Sequence, residues 1–316
     1  MTKFGYTLYC EGNAPKSLID QAIMAEAAGF DFLVISDHYH PWLTNQEHAA
    51  FAWSILGAVA QATSKIKLAT MVTAPIIRYH PAIVAQMAAT TAVISDNRFT
   101  LGLGSGERLN EHVVGKGWPA VTERHEMLAE AVDIIRELWQ GGYVNHSGTH
   151  YKVEDARVFD LPDEPIDIFI AAGGKRAARL AAEKGDGLCT TDADEELINT
   201  YLKAGGNQKN IWAQTVLGWG KTKEIGAQNI YDQFRFSVGG WKVQAELPNP
   251  INFDASAQSI EVKDMESGAG PDPQIHLKSI QKFLDLGVTN MALAYPGQDH
   301  EGFINFWKSS LEPELR

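Results

Sequence analysis

Residues 30–42 read FDFLVISDHYHPW: an apolar run that ends abruptly in an acid, two imidazoles and two aromatic rings. A short run of this kind, apolar without alternation, reads as a strand covered on both faces, as in a parallel sheet flanked by helices. The polar residues Asp37, His38, Tyr39 and His40, with Pro41 and Trp42, then fall at the C-terminal end of that strand.

The same pattern recurs along the chain. KFGYTLYC (3–10), KIKLATMV (65–72), RFTLGLG (98–104), IDIFIAAGG (166–174), DGLCTT (186–191), IWAQTVLGWG (211–220) and TNMALAYPG (289–297) read as further strands. Amphipathic stretches predict helices over 15–29, 45–63, 80–94, 122–140, 175–185, 195–205, 222–236 and 273–287, with 301–313 closing the chain. Gly29 suits the end of the first helix and Pro81 the first turn of the third. Eight strand–helix units in 316 residues predict an α/β fold of the (β/α)8 TIM-barrel type. An open dinucleotide-binding sheet would carry G-x-G-x-x-G after its first strand, whereas CEGNAP stands there. Residues 1–316 are read as one barrel domain, with a hairpin insertion near 143–159 and a long, irregular insertion near 238–272.

Composition narrows the partners. A formal charge of −12 and a pI near 5.3 argue against a nucleic-acid groove or an anionic membrane surface. The cysteines, Cys10 and Cys189, stand far apart, which suits a reducing cytoplasm. The first residues lack the pattern of a secretory signal, and no uncharged apolar stretch approaches the roughly 18 residues of a membrane span. A cytoplasmic protein with a small-molecule substrate is expected.

In a barrel the working face lies at the C-terminal strand ends. Here these ends carry Glu11, then Asp37 to Trp42, Met71-Val72-Thr73, Gly104 to Glu107, Ala171 to Gly174, Thr190-Thr191, Trp219, and Tyr295 to Gly297. Two histidines spaced i, i+2 would suit a metal pair, but the later strand ends supply too few ligands, so no metal is expected. Two glycine turns, LGLGSGE (101–107) and AAGGK (171–175), are suited to holding a phosphate on backbone N–H groups.

SDHYHPW (36–42), RYHPAIVAQ (78–86), RFTLGLGSGERLNE (98–111), the stretch from Trp118-Pro119 to Arg124, and IFIAAGG (168–174) together resemble the luciferase-like monooxygenase superfamily. More narrowly, they resemble its coenzyme F420-dependent branch, which contains the glucose-6-phosphate and secondary-alcohol dehydrogenases. The resemblance implies a barrel holding a deazaflavin at its mouth and transferring hydride between the ring and an alcohol or carbonyl. It implies His38 as the base for the substrate hydroxyl, Trp42 and Glu107 flanking the reacting centre, and Glu11 nearby. It implies cofactor contacts at Asp37, Met71, Val72, Gly106, Glu107, Asn110, Ala172, Gly173, Gly174 and Thr190, a cis peptide at Met71–Val72, and a homodimer.

One departure bears on substrate. Sugar-phosphate members of that branch grip phosphate with basic residues after the sixth strand and within 240–270. This chain has TTDADEE at 190–196, and Gln244 and Glu266 near the later positions, with Lys242 and Lys263 close by. An uncharged alcohol or sugar is therefore favoured over a sugar phosphate. The alternatives are an F420-dependent glucose-6-phosphate dehydrogenase, an FMN-dependent monooxygenase, and a barrel that binds a ligand without turning it over.

Overall fold

The computed structural model describes residues 2–316. The chain begins β1 (Lys3–Leu8), α1 (Pro15–Ala27), β2 (Phe32–Ile35), α2 (Ala52–Ala62), β3 (Lys67–Thr70), α3 (Pro81–Ile94) and β4 (Phe99–Leu103). A short helix α4 (Arg108–Glu111) and the long α5 (Val121–Leu138) precede an antiparallel pair, β5 (Val144–Ser147) and β6 (Lys152–Ala156). Then come β7 (Ile168–Ala171), α6 (Lys175–Lys184), β8 (Gly187–Thr190), α7 (Glu195–Lys203), β9 (Ile211–Val216) and α8 (Lys223–Phe234). Two short helices, α9 (Trp241–Gln244) and α10 (Pro250–Ser256), lead to α11 (Pro273–Leu284), β10 (Asn290–Ala294), α12 (His300–Phe306) and α13 (Glu312–Leu315).

Eight of these strands close in the order β1-β10-β9-β8-β7-β4-β3-β2, every pairing parallel. The (β/α)8 barrel expected from the apolar runs is the fold observed. Its interior is packed solid. Phe32, Phe169 and Trp212 meet there, Phe169 stacked on Trp212 at 4.5 Å and Phe32 edge-on at 4.9 Å. Bulk this large needs space from the neighbouring strands. A side chain at Gly5 would lie 2.1 Å from the Phe32 ring, and one at Gly102 would lie 2.0 Å from the Thr70 carbonyl. No helix among the described residues is long and apolar enough to cross a membrane.

Two expectations need correction. The helix expected over 45–63 starts only at Ala52. Before it, a 3-10 turn spans Thr44–Gln46, and Glu47 adopts φ 59°, which ends regular structure. Tertiary ties override the helical pattern: Thr44 bonds Asp254, Gln46 bonds the Gln233 carbonyl, and Ala49 bridges to Glu11. The stretch 238–272, read as irregular, contains α9, α10 and a 3-10 segment at Val262–Gly268. Prolines and glycines there punctuate short helices instead of preventing them.

Candidate active site

Glu11, just beyond β1, is fully buried, and its Oε2 accepts a 2.7 Å hydrogen bond from the Ser36 hydroxyl. Its other oxygen meets Nδ1 of His38, at the end of β2. A buried carboxylate on Nδ1 fixes the tautomer, so Nε2 is the ring nitrogen left for a ligand. Burial alone would discharge the imidazolium, but the Glu11 carboxylate, with a smaller contribution from Glu107, outweighs it. The pKa of His38 rises to about 9. Reciprocally, burial would raise Glu11, yet His38 and Ser36 hold it below the usual carboxylate range.

Asp37, adjacent in sequence, points elsewhere. It is 2% exposed, and both oxygens are engaged by protein: Oδ2 by Trp53 and Thr73, Oδ1 by Arg78 and Tyr79. Arg78 also donates to the Asp37 carbonyl at 2.7 Å, and its Nε lies 3.6 Å from Glu111. Burial pushes the Glu111 carboxyl up to about 7, although Arg78 acts against it. This network ties the ends of β2, β3 and β4 to one guanidinium. Neither Arg78 nor Glu111 was singled out from the sequence. Both lie within RYHP and GERLNE, but no spacing rule pairs residues that meet only when strands close.

Glu107 is half-buried at the start of α4. Asn110, one turn on, is buried, and its Oδ1 accepts from the backbone N–H groups of Tyr39 and His40. Its amide nitrogen lies 3.4 Å from Glu107. The Asn110 side chain thus braces the histidine loop against the Glu107 loop. His40 donates from Nδ1 to the Leu109 carbonyl, 3.0 Å away, so the two histidines serve different ends. Among the described residues no three His, Cys, Asp or Glu side chains converge as a metal-binding group.

Trp42 stands edge-on to His38, with ring centroids 4.8 Å apart, and stacks on Phe236 at 4.7 Å. Phe253 closes the other side at 5.1 Å, and Leu43 and Leu109 complete the apolar cluster. The wall beside the imidazole is therefore aromatic. Trp219 and Tyr295 turn instead into packing against Phe303 and take no part in this wall.

Across the mouth, the peptide between Met71 and Val72 is cis, and both residues are partly exposed at the end of β3. Gly106, with φ 68°, turns the chain toward Glu107. Ala172 is buried and Thr190, also buried, accepts from the Asp192 N–H. Gly173 and Gly174 are exposed, their N–H groups have no partner among the described residues, and the helix α6 that follows has no side-chain cap. Helix starts left in this state are suited to an anion.

The sequence profile of the luciferase-like monooxygenases matches residues 1–204. The chain belongs to the luciferase-like monooxygenase family. The chain is 34% identical to an F420-dependent glucose-6-phosphate dehydrogenase from Segniliparus rotundus, over 99% of this chain and 98% of that one. It is 33% identical to the protein of the same name from Microbacterium testaceum, over 99% and 97%. Among solved structures, an F420-dependent secondary alcohol dehydrogenase in complex with an F420-acetone adduct is 26% identical. It superposes with a TM-score of 0.89, covering 100% of this chain and 99% of that one. A coenzyme F420-dependent tetrahydromethanopterin reductase from Methanopyrus kandleri shares the fold at 21% identity, with a TM-score of 0.74 over 100% of this chain and 99% of that one.

Proposed function

We propose that the protein is a coenzyme F420-dependent oxidoreductase that interconverts an uncharged alcohol and its carbonyl compound. The observation that carries this is the Glu11–His38 pair set against an aromatic wall, at the same end of the barrel as a glycine turn with unpartnered N–H groups. Gly173 and Gly174 would hold the cofactor phosphate, and Met71, Val72, Gly106 and Ala172 would flank the rest. When bound, the deazaflavin supplies or accepts the hydride. Nε2 of His38 takes the hydroxyl proton in oxidation and returns it in reduction, while Glu11 holds the ring in orientation. Glu107, with the Asn110 amide beside it, would supply a second acid–base side chain at the mouth, and Trp42 would exclude water and pack against the substrate.

The substrate reading rests on where the cations are. Arg78 is bound by Asp37 and Glu111, Arg124 lies 3.5 Å from Glu246 and over the Trp118 ring, and Lys263 pairs with Glu261. After β8, Asp194 caps α7 and Glu196 pairs with Lys175, leaving Asp192 and Glu195 to repel an anion. A buried phosphate without cations or oriented donors costs several kcal/mol. The second reading, a glucose-6-phosphate dehydrogenase, is favoured by the names of the relatives, with Lys242 as the available cation.

Steady-state oxidation of isopropanol, longer secondary alcohols, glucose and glucose 6-phosphate with F420 distinguishes them. Glucose 6-phosphate is expected to be the poor member of the panel, and the highest kcat/KM for it would sink the neutral-substrate reading. F420 is expected to bind at least about tenfold more tightly than FMN, a difference of about 1.4 kcal/mol. Equal or reversed affinities by fluorescence titration would favour the monooxygenase alternative.

The His38 pKa also sets a pH dependence. Its value near 9 lies above that of an ordinary histidine, so the imidazolium dominates at neutral pH. Oxidation, which needs neutral Nε2, should rise in kcat/KM as pH climbs through about 9, and reduction should fall over the same range. Glu11→Gln removes the charge that raises this pKa, so both profiles should move to lower pH. Profiles that stay in place in that variant would detach Glu11 from the proton transfer.

A further inference from the structure

We propose that Trp241 is a specificity-determining residue of this site, the end wall that limits how far the apolar part of an alcohol extends from the reacting carbon. This deepens the reading of an uncharged alcohol substrate given above and rests on it.

The indole joins two sides of the mouth that come from different strands. It stands edge-on to Trp42, with ring centroids 6.5 Å apart and planes at 70°, so the two rings meet as a corner. On its other side is Gly173, just beyond β7. A first side-chain carbon at Gly173 would lie 3.7 Å from Cδ1 of Trp241, an ordinary van der Waals contact, so the ring closes against the end of that strand. Trp42 itself lies 4.8 Å from the His38 ring, which puts Trp241 one aromatic ring further from the imidazole. A short alcohol with its hydroxyl at Nε2 of His38 ends beside Trp42. A longer chain running along the same wall meets Trp241.

The surrounding chain holds the indole in this place. Gly240 has φ 77° and ψ 144°, a conformation open to glycine and costly for other residues, and α9 starts at the next residue. At the far end of α9 the Ala245 carbonyl accepts from the Arg108 N–H at 3.0 Å, directly after Glu107. Gln244 donates to the Phe236 carbonyl at 2.6 Å, and Glu246 lies 3.5 Å from Arg124. The helix is therefore pinned beside the Glu107 loop at its end and carries Trp241 to the β7 side at its start. Trp241 is 48% exposed, so the ring borders open space while it rests on Trp42 and Gly173. The chemistry of the wall matches the proposed substrate part: Trp42, Phe236 and Phe253 are uncharged rings, and Trp241 continues them. Such a surface accepts an aliphatic or aromatic substituent and discriminates by its size.

The test is steady-state oxidation with F420 of isopropanol, sec-butanol and secondary alcohols of six and eight carbons, alongside a fluorescence titration of F420 alone. Wild type is compared with Trp241→Ala and Trp241→Phe. In Trp241→Ala the ratio of kcat/KM for the eight-carbon alcohol to that for isopropanol is expected to rise at least about tenfold, because one methylene of pocket depth is worth about 10–200-fold. The gain should lie in KM for the long alcohols, and Trp241→Phe, with its smaller ring, should fall between. F420 affinity should not move in either variant. An unchanged ratio overturns the assignment, as does a fall in kcat/KM that is uniform across the panel or greatest for the long alcohols. Weakened F420 binding in Trp241→Ala would make the indole a cofactor contact and also overturn it. If wild type oxidises no member of the panel with F420, the alcohol reading itself fails and the end wall falls with it.

Discussion

Replacing His38 with alanine should lower turnover by about 10²–10⁴-fold while leaving cofactor affinity nearly unchanged, as expected for a general acid–base group. Glu107→Gln should behave in the same way, because it keeps the shape of the side chain and removes only its proton chemistry. The alanine variant carries a confounding effect, since it strands the fully buried Glu11 without its imidazole. A stranded buried charge costs about 3–5 kcal/mol, enough to mimic lost activity through lost fold. The double variant His38→Ala/Glu11→Gln separates the two, because it removes the orphaned charge as well. It should recover much of the stability and none of the turnover. A loss below about fivefold in both His38→Ala and Glu107→Gln, far under the acid–base range, would return these residues to a purely structural role.

Arg78→Met should cost about 3–5 kcal/mol of stability at neutral pH, the penalty for removing one partner of a buried ionic network. It takes away the donor to the Asp37 carbonyl and carboxylate and the cation facing Glu111. Urea denaturation reads the loss directly. The sign of its pH dependence follows from Glu111, whose folded-state pKa of about 7 already lies above that of an ordinary carboxylate. A raised pKa means that stability is greatest where the group is protonated and declines as pH rises through about 7. Without the guanidinium that opposes this rise, the variant should be least stable above neutrality and recover part of the loss on mild acidification. A variant within about 1 kcal/mol of wild type would show that Trp53, Thr73 and Tyr79 suffice to hold Asp37.

The barrel was legible because its strands are apolar on both faces and its glycine turns and polar loops fall at regular intervals. Glu11, His38, Trp42 and Glu107 were legible because polar or aromatic groups at strand ends stand out from the runs before them. The destination of Asp37 was not. An acid beside a histidine at a strand end looks the same in sequence whether it faces a ligand or, as here, closes on Trp53, Thr73, Arg78 and Tyr79. Asn110 is a similar case: its side chain spans two loops that approach only because β2 and β4 both border β3. The late start of α2 escaped for a related reason. Residues 45–51 have a helical pattern, but the bonds of Thr44 to Asp254 and of Gln46 to Gln233, both distant in sequence, claim the start of the segment first.

The aromatic wall and the proton-handling groups come from different parts of the chain. Phe236 and Phe253 arise from one continuous stretch after α8, whereas Glu11, His38 and Glu107 hang from three separate strands. Changes to that stretch can reshape the wall beside His38 without moving Glu11, His38 and Glu107 themselves. A lineage carrying this architecture can acquire new substrates by editing one contiguous piece of sequence, and chimeras exchanging that piece between relatives should inherit the donor's selectivity on the recipient's machinery.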